Sequence, residues 1–362
     1  MNALAFGARN AFVHVVAVRI HGFGRNSRLK LARCVMTQSA IVRWSSPRVI
    51  LVATNCLEGQ SLLLNSIYQA RISHANVLLV HVIPHSHVKA DYHGSAPQVL
   101  PGPTVRAIKA RLDEMAKECQ KAGVLCEPII LTGHAAEQIS LIVKLRDVDR
   151  VIVGTRYVSG VARLVEPSVA EELIATLETP VCVIGRRTHP GDANDHSLGN
   201  VLLAASLQAG PSLVANFASA LAELNGSRLT LVHVLDTNGM AEQERELVRM
   251  AARRKLALMI PSAARHSHQP VLLVREGDPA TVILHEAGSL FRDVLVLGSS
   301  HSSITPRILG RGIVHRVIGE SQCPVIIVRS TNPIASEEAC TIGTSAAPTT
   351  GGCGLGDSSG ER

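Results

Sequence analysis

Two stretches of this chain are written twice, in the same order and at the same spacing. Val151-Ile-Val-Gly-Thr-Arg, followed by Thr179-Pro-Val-Cys-Val-Ile-Gly-Arg, returns as Val294-Leu-Val-Leu-Gly-Ser-Ser, followed by Cys323-Pro-Val-Ile-Ile-Val-Arg. In each copy the glycine closing the first run lies 26 residues before the proline opening the second, Gly154 to Pro180 and Gly298 to Pro324. Upstream, Val49-Ile-Leu-Val-Ala-Thr has a counterpart in Val201-Leu-Leu-Ala-Ala-Ser, and Val77-Leu-Leu-Val-His-Val in Leu229-Thr-Leu-Val-His-Val. A repeat of domain length makes each unit build the same core, so the chain should fold as two like domains. Gly133 and Gly277 are 144 residues apart, as are Gly154 and Gly298, whereas His81 and His233 are 152 apart. The copies therefore differ in one connection, between His81 and Gly133.

What that core is made of follows from composition. Hydrophobic residues make up 46% of the chain but aromatics only 2%, so the interior must be Val, Ile, Leu and Ala. Parallel strands buried under helices on both faces have this composition, and sandwiches or barrels are disfavoured. Short apolar runs alternate with amphipathic stretches, the pattern of a parallel α/β sheet. In copy one the runs predict strands near 49–54, 77–83, 126–131, 150–154 and 180–184, with helices near 59–74, 104–122, 135–146 and 168–178. In copy two they predict strands near 201–205, 228–235, 270–275, 293–298 and 324–328, with helices near 211–224, 240–258, 279–289 and 312–320. The domains are set at residues 48–187 and 200–330, joined by a polar linker over 188–199. An apolar fifth strand left on an edge needs pairing or cover, so the two copies are expected to pack as an internal pseudo-dimer. Association of two such chains into a homodimer is left open.

The net charge of +7 suggests nucleic acid until it is located. Residues 1–48 carry eight of the 36 Arg and Lys and no Asp or Glu, leaving 28 basic against 29 acidic residues elsewhere. The two-domain body is near neutral and offers no basic surface with interleaved aromatics, so neither nucleic acid nor membrane is expected as a partner. The basic leader, residues 1–47, reads as a disordered arm, a transit peptide, or an upstream mis-assigned start with Met36 as the true initiator. Its apolar run from Ala11 to Ile20 is too short to span a bilayer. Residues 331–362, rich in Gly, Ser, Thr and Ala, lack periodic apolar positions and read as a disordered tail. Eight cysteines without CxxC spacing, among them Cys56, Cys126, Cys182 and Cys323 beside strand-like runs, point to free thiols in a reducing, cytoplasmic setting.

Several motifs share an order in both copies. They are the opening strands with small residues at their ends (Val49 to Asn55, Val201 to Ser206), the Leu-Val-His-Val closing strand two (from Leu79 and Leu231), and the turns Gly133-His-Ala-Ala and Gly277-Asp-Pro-Ala. The fourth strands run from Asp149 to Gly154 and from Asp293 to Gly298, and Leu164-Val-Glu-Pro-Ser-Val-Ala-Glu-Glu-Leu enters a helix. Over residues 48–330 this order resembles the universal stress protein family in its tandem form. The resemblance implies two tandem flavodoxin-like (adenine nucleotide alpha hydrolase-like) domains, each a five-stranded parallel sheet with helices on both faces. In one branch it also implies ATP held where strands one and four meet, a crevice that suits a ligand on physical grounds.

The ATP-binding branch carries Gly-x2-Gly-x9-Gly-Ser/Thr after strand four, whose glycines let backbone approach phosphates and whose last pair opens a helix that favours an anion. Here the spacing stays and the residues change: Gly154-x2-Tyr157-x9-Pro167-Ser168 in copy one, Gly298-x2-His301-x9-Arg311-Gly312 in copy two. Tyr157 places a ring where backbone should approach the ligand, and Pro167 removes an amide donor. Arg311 keeps that amide and adds a cation, while Gly312 lacks the hydroxyl. The family's acid after strand one is replaced by Asn55 and Ser206, which can hydrogen-bond without a carboxylate's strength. The residues that the resemblance assigns to a nucleotide are therefore Asn55, Val82, Gly154 and Ser168 in copy one, and Ser206, Val234, Gly298, Arg311 and Gly312 in copy two. They argue against high-affinity ATP in copy one and leave copy two, with its Gly310-Arg311-Gly312, open. No cofactor is required, and an adenine nucleotide is the one class the resemblance allows.

Other signals read as structural. His81 and His233 recur at the ends of the second strands and are expected to be satisfied by neighbouring polar groups. His85, His87 and His93 follow copy one's strand two without a counterpart in copy two, so a solvated loop is preferred over a zinc site. No Gly-x4-Gly-Lys-Ser/Thr, Gly-x-Ser-x-Gly or His-Glu-x-x-His is present, and no catalytic residue is assigned. The expected function is a non-enzymatic, stress-linked regulatory module acting through protein partners. The competing expectation is an ATP- or AMP-binding, slowly hydrolysing module using copy two.

Overall fold

The computed structural model describes residues 39–56, 60–84, 102–155, 168–189, 197–207, 213–261, 269–288, 293–300 and 312–330. The expectations for Met36, the His85, His87 and His93 cluster, Tyr157, Pro167, His301, Arg311 and the tail from 331 lie outside these residues. After a helix α1 at residues 39–45, copy one runs β1 (Val49–Ala53), α2 (Gln60–Ser73), β2 (Asn76–Ile83), α3 (Gly102–Lys121), β3 (Cys126–Thr132), α4 (Ala135–Leu145), β4 (Arg150–Gly154), α5 (Val169–Thr176) and β5 (Val181–Ile184). Copy two repeats it as β6 (Asn200–Ala204), α6 (Leu213–Asn225), β7 (Arg228–Leu235), α7 (Glu242–Met259), β8 (Val271–Glu276), α8 (Pro279–Gly288), β9 (Asp293–Ser300), α9 (Ile313–Glu320) and β10 (Val325–Ser330).

The strands form one ten-stranded sheet in the order β3-β2-β1-β4-β5-β10-β9-β6-β7-β8. Every pairing is parallel except the central one, where β5 and β10 run antiparallel with Cys182 opposite Ile326. The short apolar strand Val181–Ile184, buried on both faces, thereby gains a partner on each side. Alternate residues of each strand serve opposite faces. Ile50 and Val52 of β1 join a core with α2, α3, α6 and α7, through Leu63, Leu112, Phe217 and Leu256. Leu51 and Ala53 join a second core with α4, α5, α8 and α9, through Ile139, Leu173, Ile283 and Val317. Both cores cross from one copy into the other. Hydrogen bonding also refines the repeat: Thr54 N donates to Val80 O and Ala205 N to Val232 O, so Thr54 matches Ala205 and Asn55 matches Ser206. Ile50, rather than Val49, is the counterpart of Val201.

The charge pattern assigns residues 39–47 to the leader, and the structure corrects this. Ile41 and Ser45 are buried, the Ser45 hydroxyl donates to Phe217 O of copy two, and Arg43 pairs with Asp149 at 2.7 Å. A basic count alone cannot show this, because the groups that hold α1, a buried aspartate and a backbone carbonyl among them, lie far along the chain. Asp149 also accepts from the amides of Arg48 and Val49, at 2.8 and 3.2 Å, fixing the entry to β1.

Beyond β5 the chain presses on copy two. A Cβ on Gly185 would lie 2.8 Å from Ile318 O, so only glycine permits this approach. His189 N donates to Gln322 O, while Ser61 and Asn65 of α2 hold the carbonyls of Thr188 and His189. Gly133 and Gly277 adopt φ of 138° and 123°, conformations that an L side chain rarely tolerates, which explains the repeated glycine after β3 and β8.

Candidate functional site

In each copy the chain reverses its strand order between the first and fourth strands, which opens a crevice at their carboxyl ends. In copy one, Ala53 is level with Val153, so Asn55 and Gly154 follow at neighbouring strand ends, and Val82 lies near the end of β2. In copy two, Ala204 is level with Leu297, which places Ser206 beside Gly298, with Val234 near the end of β7. Ser168 and Gly312 are the N-caps of α5 and α9.

The repeated histidines hold the lips of these crevices. His81 Nδ1 lies 2.9 Å from Thr54 O and His233 Nδ1 lies 2.8 Å from Ala205 O. A carbonyl only accepts, so each Nδ1 carries its proton. Cys56, at φ 65°, donates its amide to Thr54 Oγ1 and places its sulfur 3.6 Å from His81. Gly298 has a packing cause as well: a Cβ there would meet Val214 of α6 at 3.1 Å.

The helix entrances differ. In copy one Ser168 Oγ accepts from Glu171 N at 3.3 Å, and Glu171 Oε2 accepts from Ser168 N at 2.9 Å. This capping box satisfies two amides of the first turn of α5 and sets a carboxylate at its positive end. An incoming phosphate would have to displace that carboxylate. In copy two the N-cap Gly312 has no side-chain cap, and the residue in place of Glu171 is His315. The two meet: His315 Nδ1 lies 3.1 Å from Glu171 Oε1, so one carboxylate occupies copy one's entrance and reaches the first turn of α9.

Beside these entrances the two members of a side-chain pair exchange places between copies. His134 faces Glu172 at 3.5 Å in copy one, and at the same places Asp278 faces Arg316 at 2.6 Å in copy two. The Thr281 hydroxyl and amide, followed by Arg316, hold the Asp278 carboxyl below its usual range. Among the described residues no group of three or more His, Cys, Asp or Glu could hold a metal ion, and no helix is long and apolar enough to cross a membrane. Cys56, Cys119, Cys126, Cys182 and Cys323 are free thiols. Sequence reasoning missed Glu171 and His315, although Ser168-x-x-Glu171 is itself a capping-box pattern.

The fold defines a tandem α/β protein built from two flavodoxin-like units. The universal stress protein family model matches residues 47–185 and again 198–329. The chain belongs to the universal stress protein family. A universal stress protein from Archaeoglobus fulgidus DSM 4304 superimposes with a TM-score of 0.56 at 17% identity, covering 78% of this chain and 96% of its own. A functionally unknown protein from Pseudomonas aeruginosa PAO1 gives 0.52 at 16% identity, with 79% and 94% covered. A universal stress protein from Archaeoglobus fulgidus in complex with dAMP covers 38% of this chain and 98% of its own, at 19% identity and a TM-score of 0.30. No curated protein matches the chain significantly.

Proposed function

We propose that this chain is a non-enzymatic stress-response module of the cytoplasm that acts through protein partners, with nucleotide binding weak or absent. The observation that carries this reading is Glu171. Its carboxylate accepts the Ser168 amide where a phosphate would take up donors, and its second oxygen faces His315. An anion at copy one's entrance meets a built-in competitor, and one at copy two's entrance meets a carboxylate nearby. The absence of an acid at Asn55 and Ser206 removes the charge-assisted acceptor for a nucleoside hydroxyl.

A second reading is favoured by one difference between the copies. Gly312 makes no side-chain cap where Ser168 caps α5, so no capping carboxylate of its own helix competes at copy two's entrance, and weak adenine nucleotide binding would reside there with Arg311. Denaturing the purified full chain and chromatographing the released small molecules separates the two. Absence of co-purified nucleotide supports the first reading, whereas stoichiometric ATP, ADP or AMP overturns it in favour of the second.

A further inference from the structure

The two ends of the sheet are unlike. At copy one's end the edge strand β3 carries Pro128, which has no N–H to offer, and Glu127, which is held by Arg146. At copy two's end β8 has no proline, and among the described residues its outer edge has no backbone partner. Between this edge and α7 runs a groove of about 930 Å³, lined by Glu246, Met250 and Arg253 on the helix and by Val271, Leu273 and Arg275 on the strand. Next to it α7 exposes Leu247 at 64%, Met250 at 46% and Leu258 at 64%, and β8 exposes Val271 at 37%. None of the described side chains of α3, the matching helix of copy one, is a large exposed apolar residue.

The charges of α7 say what covers this surface. Its first half carries Glu242, Glu244 and Glu246 with Arg245 and Arg249, and its second half carries Arg253, Arg254 and Lys255 and no acid. Both basic residues of the first half are engaged within the chain, Arg245 being turned to Met240 O at 3.1 Å and to Glu242. Arg249 is held by Glu246 and Glu276, while Arg253, Arg254 and Lys255 form no ion pair among the described residues. Glu246 and Arg253 lie two turns apart on one side of the helix, the side that lines the groove. A helix acidic in one half and basic in the other is complementary to itself when two copies run antiparallel.

We propose that β8 and α7 form a two-fold interface with a second copy of this chain. A two-fold axis normal to the sheet runs β8 antiparallel to its mate, completing the edge hydrogen bonds, and keeps both α7 helices on one face. It sets Glu246 of each copy opposite Arg253 of the other, around a shared stripe of Leu247, Met250 and Leu258. This pairing is independent of whether either crevice takes a nucleotide.

The test is sedimentation of the full chain over a concentration series, with two charge-reversed variants, Glu242→Arg/Glu246→Arg and Arg253→Glu/Arg254→Glu, checked for folding by circular dichroism. The wild type should dimerise, and each variant alone should dimerise at least roughly tenfold more weakly. Mixing the two should restore dimers, because every reversed half then meets an opposite one. Leu141→Glu/Leu145→Glu, which puts two new charges on the exposed apolar positions of α4, should leave dimerisation unchanged. A wild type that is monomeric throughout overturns the proposal. So does a mixture that fails to restore dimers, which would hand the groove to an extended peptide of another protein or to the chain's own tail.

Discussion

Copy one and copy two solve the same packing problem with opposite materials. Copy one buries a polar trio between β4, α2 and β5: Arg150 donates to Gln69 Oε1 at 3.1 Å and Gln69 Nε2 donates to Cys182 Sγ at 3.2 Å. Copy two has Val294, Leu221 and Ile326 at the matching places, all buried in its core. Arg150 also reaches Trp44 O at 2.7 Å, so this cation ties α1, and through it copy two's α6, to copy one. The exchanged pairs His134–Glu172 and Asp278–Arg316 teach the same lesson, because an interaction whose two partners can swap places supports the fold rather than recognising one ligand. Among the described residues, the entrances of α5 and α9 differ in a way that a ligand would feel.

The comparison breaks most visibly at Asp149, whose carboxylate is 1% exposed and gathers two backbone amides and Arg43. Asp149→Ala strands these donors and should cost about 3–5 kcal/mol in chemical denaturation. Arg150→Val alone removes the partner of Gln69 and Trp44 and should cost about 2–3 kcal/mol. The triple change Arg150→Val, Gln69→Leu and Cys182→Ile gives copy one the core of copy two. It should recover most of that loss, since apolar replacements of buried charge are often neutral or better. A triple variant no more stable than Arg150→Val would show that the trio cannot be exchanged.

A smaller effect separates the copies by pH. Burial pushes the Cys182 thiol up from its ordinary value near 9 to about 11. A raised acid keeps its proton in the fold after the unfolded chain has lost it. Its contribution is complete below pH 9 and is lost as pH rises through 11. Burial lowers Arg150 to about 10, so its unfavourable contribution is relieved only above that pH. Stability should fall by about 1 kcal/mol from pH 9 to 10, and Cys182→Ile should flatten that slope. An unchanged slope would show that other groups dominate the alkaline side.

The architecture was legible because it rests on periodicity. Each strand's Val, Ile and Leu run, its following helix and the repeated glycines at 133 and 277 follow from the backbone's own requirements. The joining of the copies was legible only as a need, since Val181–Ile184 demands cover but does not name β10 as its partner. Helix α1 was hidden because its anchors lie more than a hundred residues away, at Asp149 and Phe217. The changes in the phosphate loop were plain letter by letter. That Glu171 answers His315 across the copies depends on the antiparallel seam, which no local pattern encodes.

That carboxylate is the centre of the account, and calorimetric titration of ADP into the full chain and its Glu171→Gln variant tests it most directly. The wild type should show no binding tighter than roughly tens of micromolar, and the variant, which loses the charge but keeps an acceptor for the Ser168 amide, should bind several-fold more tightly. Tight binding by the wild type, or a variant that binds no better, would contradict the claim that Glu171 occupies the anion's place.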